Sequence, residues 1–134
     1  MNDILKKFNS LKIDKPHLND VLHVFIFNFF KNEEEITILL KNDANQTIFK
    51  KFNIFLYKKL IYVLERPNVV KTAGIPVDII CSFFSRALTN SLFYLVQKTT
   101  MSKEQKIDYL HILFKKSDMK ELGICPHHTL CHSA

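Results

Sequence analysis

Gly74-Ile75-Pro76-Val77-Asp78-Ile79-Ile80-Cys81-Ser82-Phe83-Phe84-Ser85-Arg86-Ala87-Leu88-Thr89-Asn90-Ser91-Leu92-Phe93-Tyr94-Leu95-Val96-Gln97-Lys98 is the stretch that decides the fold. Pro76 fits a first helical position, where its missing N–H is not needed. From Val77 to Lys98 there is no Pro or Gly, so the spacing predicts one helix of about 35 Å over 76–98. Arg86 is its only interior charge after Asp78. Such a helix has too little polar surface to face water alone. It needs cover from the rest of its own chain and, by the same argument, from a second copy.

Outward from that helix, the chain reads as helical throughout. Only two Gly and four Pro in 134 residues argue against an all-β fold, which needs many tight turns. Asp14-Lys15-Pro16 reads as a start signal for a helix over 16–31, apolar almost all round in its second half. Glu33-Glu34-Glu35 complements the N-terminus of a short helix ending near Leu40. A long helix over 46–65 carries Ile48, Phe49, Phe52, Phe55, Leu56, Leu60, Val63 and Leu64 at helical spacing. Ser102-Lys103-Glu104-Gln105 matches a capping box and starts a last helix over 103–117, with Ile107, Leu110, His111 and Phe114 on one face. Residues 2–10, with Ile4, Leu5 and Phe8 on one side, make a sixth, short helix. No period-2 alternation calls for a strand. The expectation is all-α with about six helices: a short N-terminal segment at 1–15, a helical domain at 16–118 and a tail at 119–134.

Composition excludes several classes. A 47% apolar content with mean hydropathy near zero fits a folded globular chain rather than a disordered one. The net charge of +6 would permit nucleic-acid binding, but the lysines are dispersed in pairs such as Lys50-Lys51 and Lys58-Lys59. Arginine, the better bidentate partner for bases and phosphates, occurs only at positions 66 and 86. Solvated helix faces explain these lysines better than a nucleic-acid footprint. No apolar run is expected to reach the ~20 residues that span a bilayer, and no membrane partner is expected. Three cysteines, one of them inside a helix, do not make a disulfide framework, so the expected location is the cytoplasm.

Nothing in the chain suggests an enzyme or a cofactor. Two isolated glycines exclude phosphate-cradling and dinucleotide loops. Ser82, Ser85 and Ser91 lack nucleophile-elbow glycines. No carboxylate pair sits in an apolar stretch where a raised pKa would serve acid–base work. His23 and His111 read as ordinary helix histidines, with no i+4 metal partner. The one concentrated ligand set is Cys125, His127, His128, Cys131 and His132, five metal-competent side chains within eight residues. Their spacing matches no zinc-finger pattern, and a tail without a bound metal is the plainer reading.

The order of elements resembles one known family. A helix ending Phe29-Phe30-Lys31-Asn32 is followed by a short helix closing on Leu39-Leu40-Lys41-Asn42 and a long helix from Thr47. Gly74-Ile75-Pro76 then leads into a charge-poor helix followed by a short capped one. This pattern, over about residues 16–117, resembles the C-terminal regulatory domain of TetR-type transcriptional repressors. The group like regulators of dihydroxyacetone-kinase operons is the nearest in pattern. The resemblance implies a homodimer held by a four-helix bundle of the last two long helices from each copy. It also implies a pocket for a small-molecule effector enclosed by helices 16–31, 46–65 and part of 76–98. DNA would be read only by an N-terminal helix-turn-helix domain, for which residues 1–15 are too short.

On that reading Phe83, Ala87, Asn90, Ser91 and Tyr94, with Ile107, Leu110, His111 and Phe114, are the candidate dimer interface. Small residues at 87 and 91 would admit a close helix, with aromatic anchors at either end. His23, Phe25, Phe29, Phe52, Phe55, Tyr57 and Tyr62 are the candidate pocket lining, against the plainer alternative of a solid phenylalanine core. A stand-alone helical interaction protein without a pocket is the first rival function; a small helical enzyme is the second, and it lacks any acid–base or nucleophile constellation.

Overall fold

The computed structural model describes residue 6 and residues 18–42, 47–65, 69–70, 74–115 and 125–126. Among these, five helices follow in order: α1 Leu18–Lys31, α2 Glu33–Lys41, α3 Thr47–Leu64, α4 Val77–Val96 and α5 Lys103–Leu113. The chain is all-α in class. The expected helix over 2–10 lies outside the described residues except for Lys6, and so does most of the tail. Between α3 and α4, and again after α5, the chain forms one feature that the sequence reading did not expect. Val69–Val70 (β1) pairs antiparallel with Cys125–Pro126 (β2), Val69 opposite Pro126 and Val70 opposite Cys125. Strands of two residues are too short to leave an alternating pattern.

Local chemistry sets the helix ends. Gly74 adopts φ +86°, which L side chains rarely tolerate, and turns the backbone into α4. Pro76 is the N-cap rather than the first helical residue, and its carbonyl accepts from the N–H groups of Ile79 and Ile80 at 3.1 and 3.2 Å. The capping box at α5 is complete: Gln105 N–H donates to Ser102 Oγ at 3.1 Å, and Ser102 N–H donates to Gln105 Oε1 at 3.2 Å. The last helix stops at Leu113, four residues short of its expected end.

α3 and α4 form the most extensive helix pair, and α1 crosses both while also carrying α5. Their shared core is aromatic. Phe29, Phe52 and Phe93 sit with ring centroids 5.6–5.8 Å apart, Phe49 meets Phe93 edge-on at 5.4 Å, and Phe25 meets Phe52 edge-on at 6.0 Å. Such offset and edge contacts stabilise beyond simple area burial. The inward side of α4 is finished by Cys81, Leu88 and Leu92, and the buried Thr89 hydroxyl donates to the Ser85 carbonyl at 2.7 Å.

By length and composition α4 is apolar enough to cross a bilayer, contrary to the expectation that no run would be. Half of that span is buried within the fold, as for a core helix. What lies on its other half positions the candidate site.

Candidate functional site

Successive residues of an α-helix turn by about 100°, so Ile79, Phe83, Ala87, Asn90 and Tyr94 fall on the side of α4 opposite Cys81, Leu88 and Leu92. That side is bare. Ile79, Phe83 and Tyr94 are 56, 62 and 62% exposed, and on α5 Tyr109, Ile112 and Leu113 are 47, 54 and 64% exposed. Six of the eleven exposed large apolar side chains among the described residues thus belong to these two helices. Ser91, Tyr94 and Leu95 of α4 and Tyr109, Ile112 and Leu113 of α5 enclose a shallow hollow of about 420 Å³ with almost wholly apolar walls. A concentration of this kind marks an interaction surface.

The two halves of the expected interface therefore fare differently. Phe83, Ala87, Asn90, Ser91 and Tyr94 lie on the open stripe of α4, with Ala87 and Ser91 half-buried. On α5 the stripe faces the other way. Leu110 is fully buried, Phe114 nearly so and Ile107 half-buried, because this side of α5 packs on α1. His111 is exposed but stacks on His23, ring centroids 4.4 Å apart. The side of α5 available to another molecule carries Tyr109, Ile112 and Leu113 instead.

The expected pocket residues are also divided. Phe25, Phe29 and Phe52 are fully buried and touch one another ring to ring. Phe55 and Tyr57 are half-buried at the edge of the core, Phe55 beside Phe25 and beneath the Lys59 ammonium. Tyr62 is 63% exposed, since it points about 100° away from the Phe52–Leu56–Val63 side of α3, and it is not a pocket wall. His23 Nε2 lies 3.3 Å from the Phe114 carbonyl, so the proton on that nitrogen ties α1 to the end of α5. Burial, reinforced by neighbouring His111, lowers the His23 pKa against weaker opposing effects of the Phe114 carbonyl and Asp20.

A larger opening lies elsewhere. Leu40 of α2, Phe49 of α3, and Arg86, Asn90, Phe93, Tyr94 and Gln97 along α4 line a groove of about 580 Å³. Sequence reasoning missed it. Arg86 was visible as the lone charge of α4 beyond Asp78, but Leu40 and Phe49 come from helices whose placement only the fold reveals.

Chemistry at the remaining candidates is limited. Cys81 is buried and its thiol is pushed up to about 12, first by burial and then by Glu65 and Asp78, so it is a poor nucleophile. Among the described residues no three His, Cys, Asp or Glu side chains come together to hold a metal. Of the tail set, Cys125 lies in β2, while His127, His128, Cys131 and His132 fall outside the described residues. No protein-family model, curated protein or solved structure matches this chain.

Proposed function

We propose that this chain is the dimerising, effector-sensing part of a TetR-type transcriptional repressor. The observation that carries the reading is the uncovered apolar face on α4 and α5. A repressor of this type joins its last two long helices to those of a second copy in a four-helix bundle, and a bare apolar side on both helices is what such a bundle requires. The order of helix lengths, the Gly74-Ile75-Pro76 approach to α4 and the capping box before α5 support the same reading.

The mechanism is a population shift. An effector that prefers one arrangement of α1, α3 and α4 biases the relative setting of the two copies, and with it the spacing of the DNA readers attached to them. DNA recognition falls to a helix-turn-helix unit separate from these five helices. The setting is cytoplasmic, with no catalytic step and no cofactor.

Light scattering at micromolar protein tests the association: twice the 15.8 kDa chain mass is expected, and a species of single-chain mass rejects the reading. A second reading, a helical interaction module with no effector, is favoured by the ring-to-ring contacts of Phe25, Phe29 and Phe52, where a cavity was expected. Stable heterodimers with a different helical protein, formed in preference to homodimers, would select it.

A further inference from the structure

We propose that the groove between α2, α3 and the second half of α4 binds a small organic carboxylate with a flat apolar body, held by Arg86. The inference deepens the effector-sensing reading, on which it rests, but it does not depend on dimerisation.

The groove has the size and the chemistry. About 580 Å³ lies within the range of small-molecule sites. Phe49, Phe93 and Tyr94 supply rings for a flat apolar body to lie against. Arg86, Asn90 and Gln97 supply the polar contacts, and none of the three side chains has a hydrogen bond or ion pair among the described residues. Asn90 lies one turn beyond Arg86, so both project from the same side of α4.

The charge decides the ligand class. Among the described residues Arg86 is the only charged one lining the groove, and no carboxylate shares it. Lys98 lies over the Tyr94 ring at 4.7 Å and adds positive potential near the same wall. With a net charge of +6 on the chain, an anion is drawn in and a cation repelled. A planar guanidinium matches a planar carboxylate through two parallel N–H···O bonds. One guanidinium suits a single negative charge; a phosphoryl group would need further cationic or backbone N–H donors. A ligand so placed touches three helices at once, and through Asn90 and Tyr94 it reaches the edge of the bare face of α4. Binding and association thereby share side chains.

The test uses 4-phenylbutyrate and its neutral amide as probes, with calorimetry for affinity and NMR for location. The carboxylate is expected to bind about tenfold or more tighter than the amide. Arg86→Gln is expected to abolish that difference, Arg86→Lys to keep part of it, and the Asn90 and Gln97 side-chain amide signals to shift on binding. Equal binding of acid and amide, undiminished binding of the acid to R86Q, or no saturable binding up to about 10 mM overturns the proposal. So does a loss of dimer mass in R86Q with unchanged affinity for the acid, which would assign Arg86 to the association face. Light scattering on the same samples separates the two readings. A dimer without Arg86-dependent binding rejects the groove alone, and a monomer that binds the acid through Arg86 rejects the association alone.

Discussion

Lys106 Nζ sits 2.8 Å from Glu33 Oε1, with Lys106 only 3% exposed and Glu33 24% exposed. The pair ties the start of α5 to the start of α2, and the ammonium also lies 6.0 Å from the centre of the Phe30 ring. The two partners are not equivalent. Glu33→Gln leaves a buried ammonium without its counter-charge, whereas Lys106→Met leaves a carboxylate that water can reach. Urea denaturation is expected to show a loss of about 2 kcal/mol for E33Q and under about 1 kcal/mol for K106M. The reverse order would mean that the Lys106 stem matters more than its charge.

Stability should fall on mild acidification because of His23. Burial and then His111 lower its pKa from the ordinary 6.5. The folded state therefore binds fewer protons than the unfolded chain below that value. Its contribution is fully present above pH 6.5 and is lost as pH falls through the depressed folded value. Denaturation midpoints between about pH 7.5 and pH 5 should fall, and His111→Gln should flatten the fall and raise the His23 pKa measured by NMR. A midpoint independent of pH in both proteins would remove His23 as the cause.

Periodicity made the inner face of each long helix legible, because Phe52, Leu56 and Val63, or Cys81, Leu88 and Leu92, recur at helical spacing and only one side of each helix is crowded. The Ser102–Gln105 box was equally plain, being wholly local. The side of α5 that faces inward was not. Leu110 and Phe114 compete with Tyr109, Ile112 and Leu113 on an eleven-residue helix that is apolar on two sides, and packing on α1 decides between them. The β1–β2 pair and the Arg86 groove are tertiary facts. Each joins residues far apart in the chain that no local pattern links.

The aromatic core sets the scale for substitutions in the expected pocket. Phe52 is 1% exposed and touches Phe25, Phe29 and Phe93, so Phe52→Ala should cost about 3–5 kcal/mol and leave a void. Tyr62→Ala, at a side chain 63% exposed on α3, should cost less, about 1 kcal/mol. Denaturant midpoints of the two variants check the contrast. A loss for Y62A as large as that for F52A would mean that Tyr62 is held as firmly as the core.

The sharpest prediction separates association from folding within one short helix. Leu110 and Leu113 are three residues apart on α5, one fully buried and the other 64% exposed. Leu110→Asp places a carboxylate in the core and should unfold the chain, with loss of helical circular dichroism. Leu113→Asp and Phe83→Asp place theirs on the bare face, so helicity and thermal melting of the monomer should persist. If two copies meet there, each change buries a charge in the interface and should raise the dimer dissociation constant about 100-fold or more, read by light scattering across a dilution series. A dimer indifferent to both substitutions must be held by another surface. In that case the hollow between Tyr94 and Leu113 would need a different occupant.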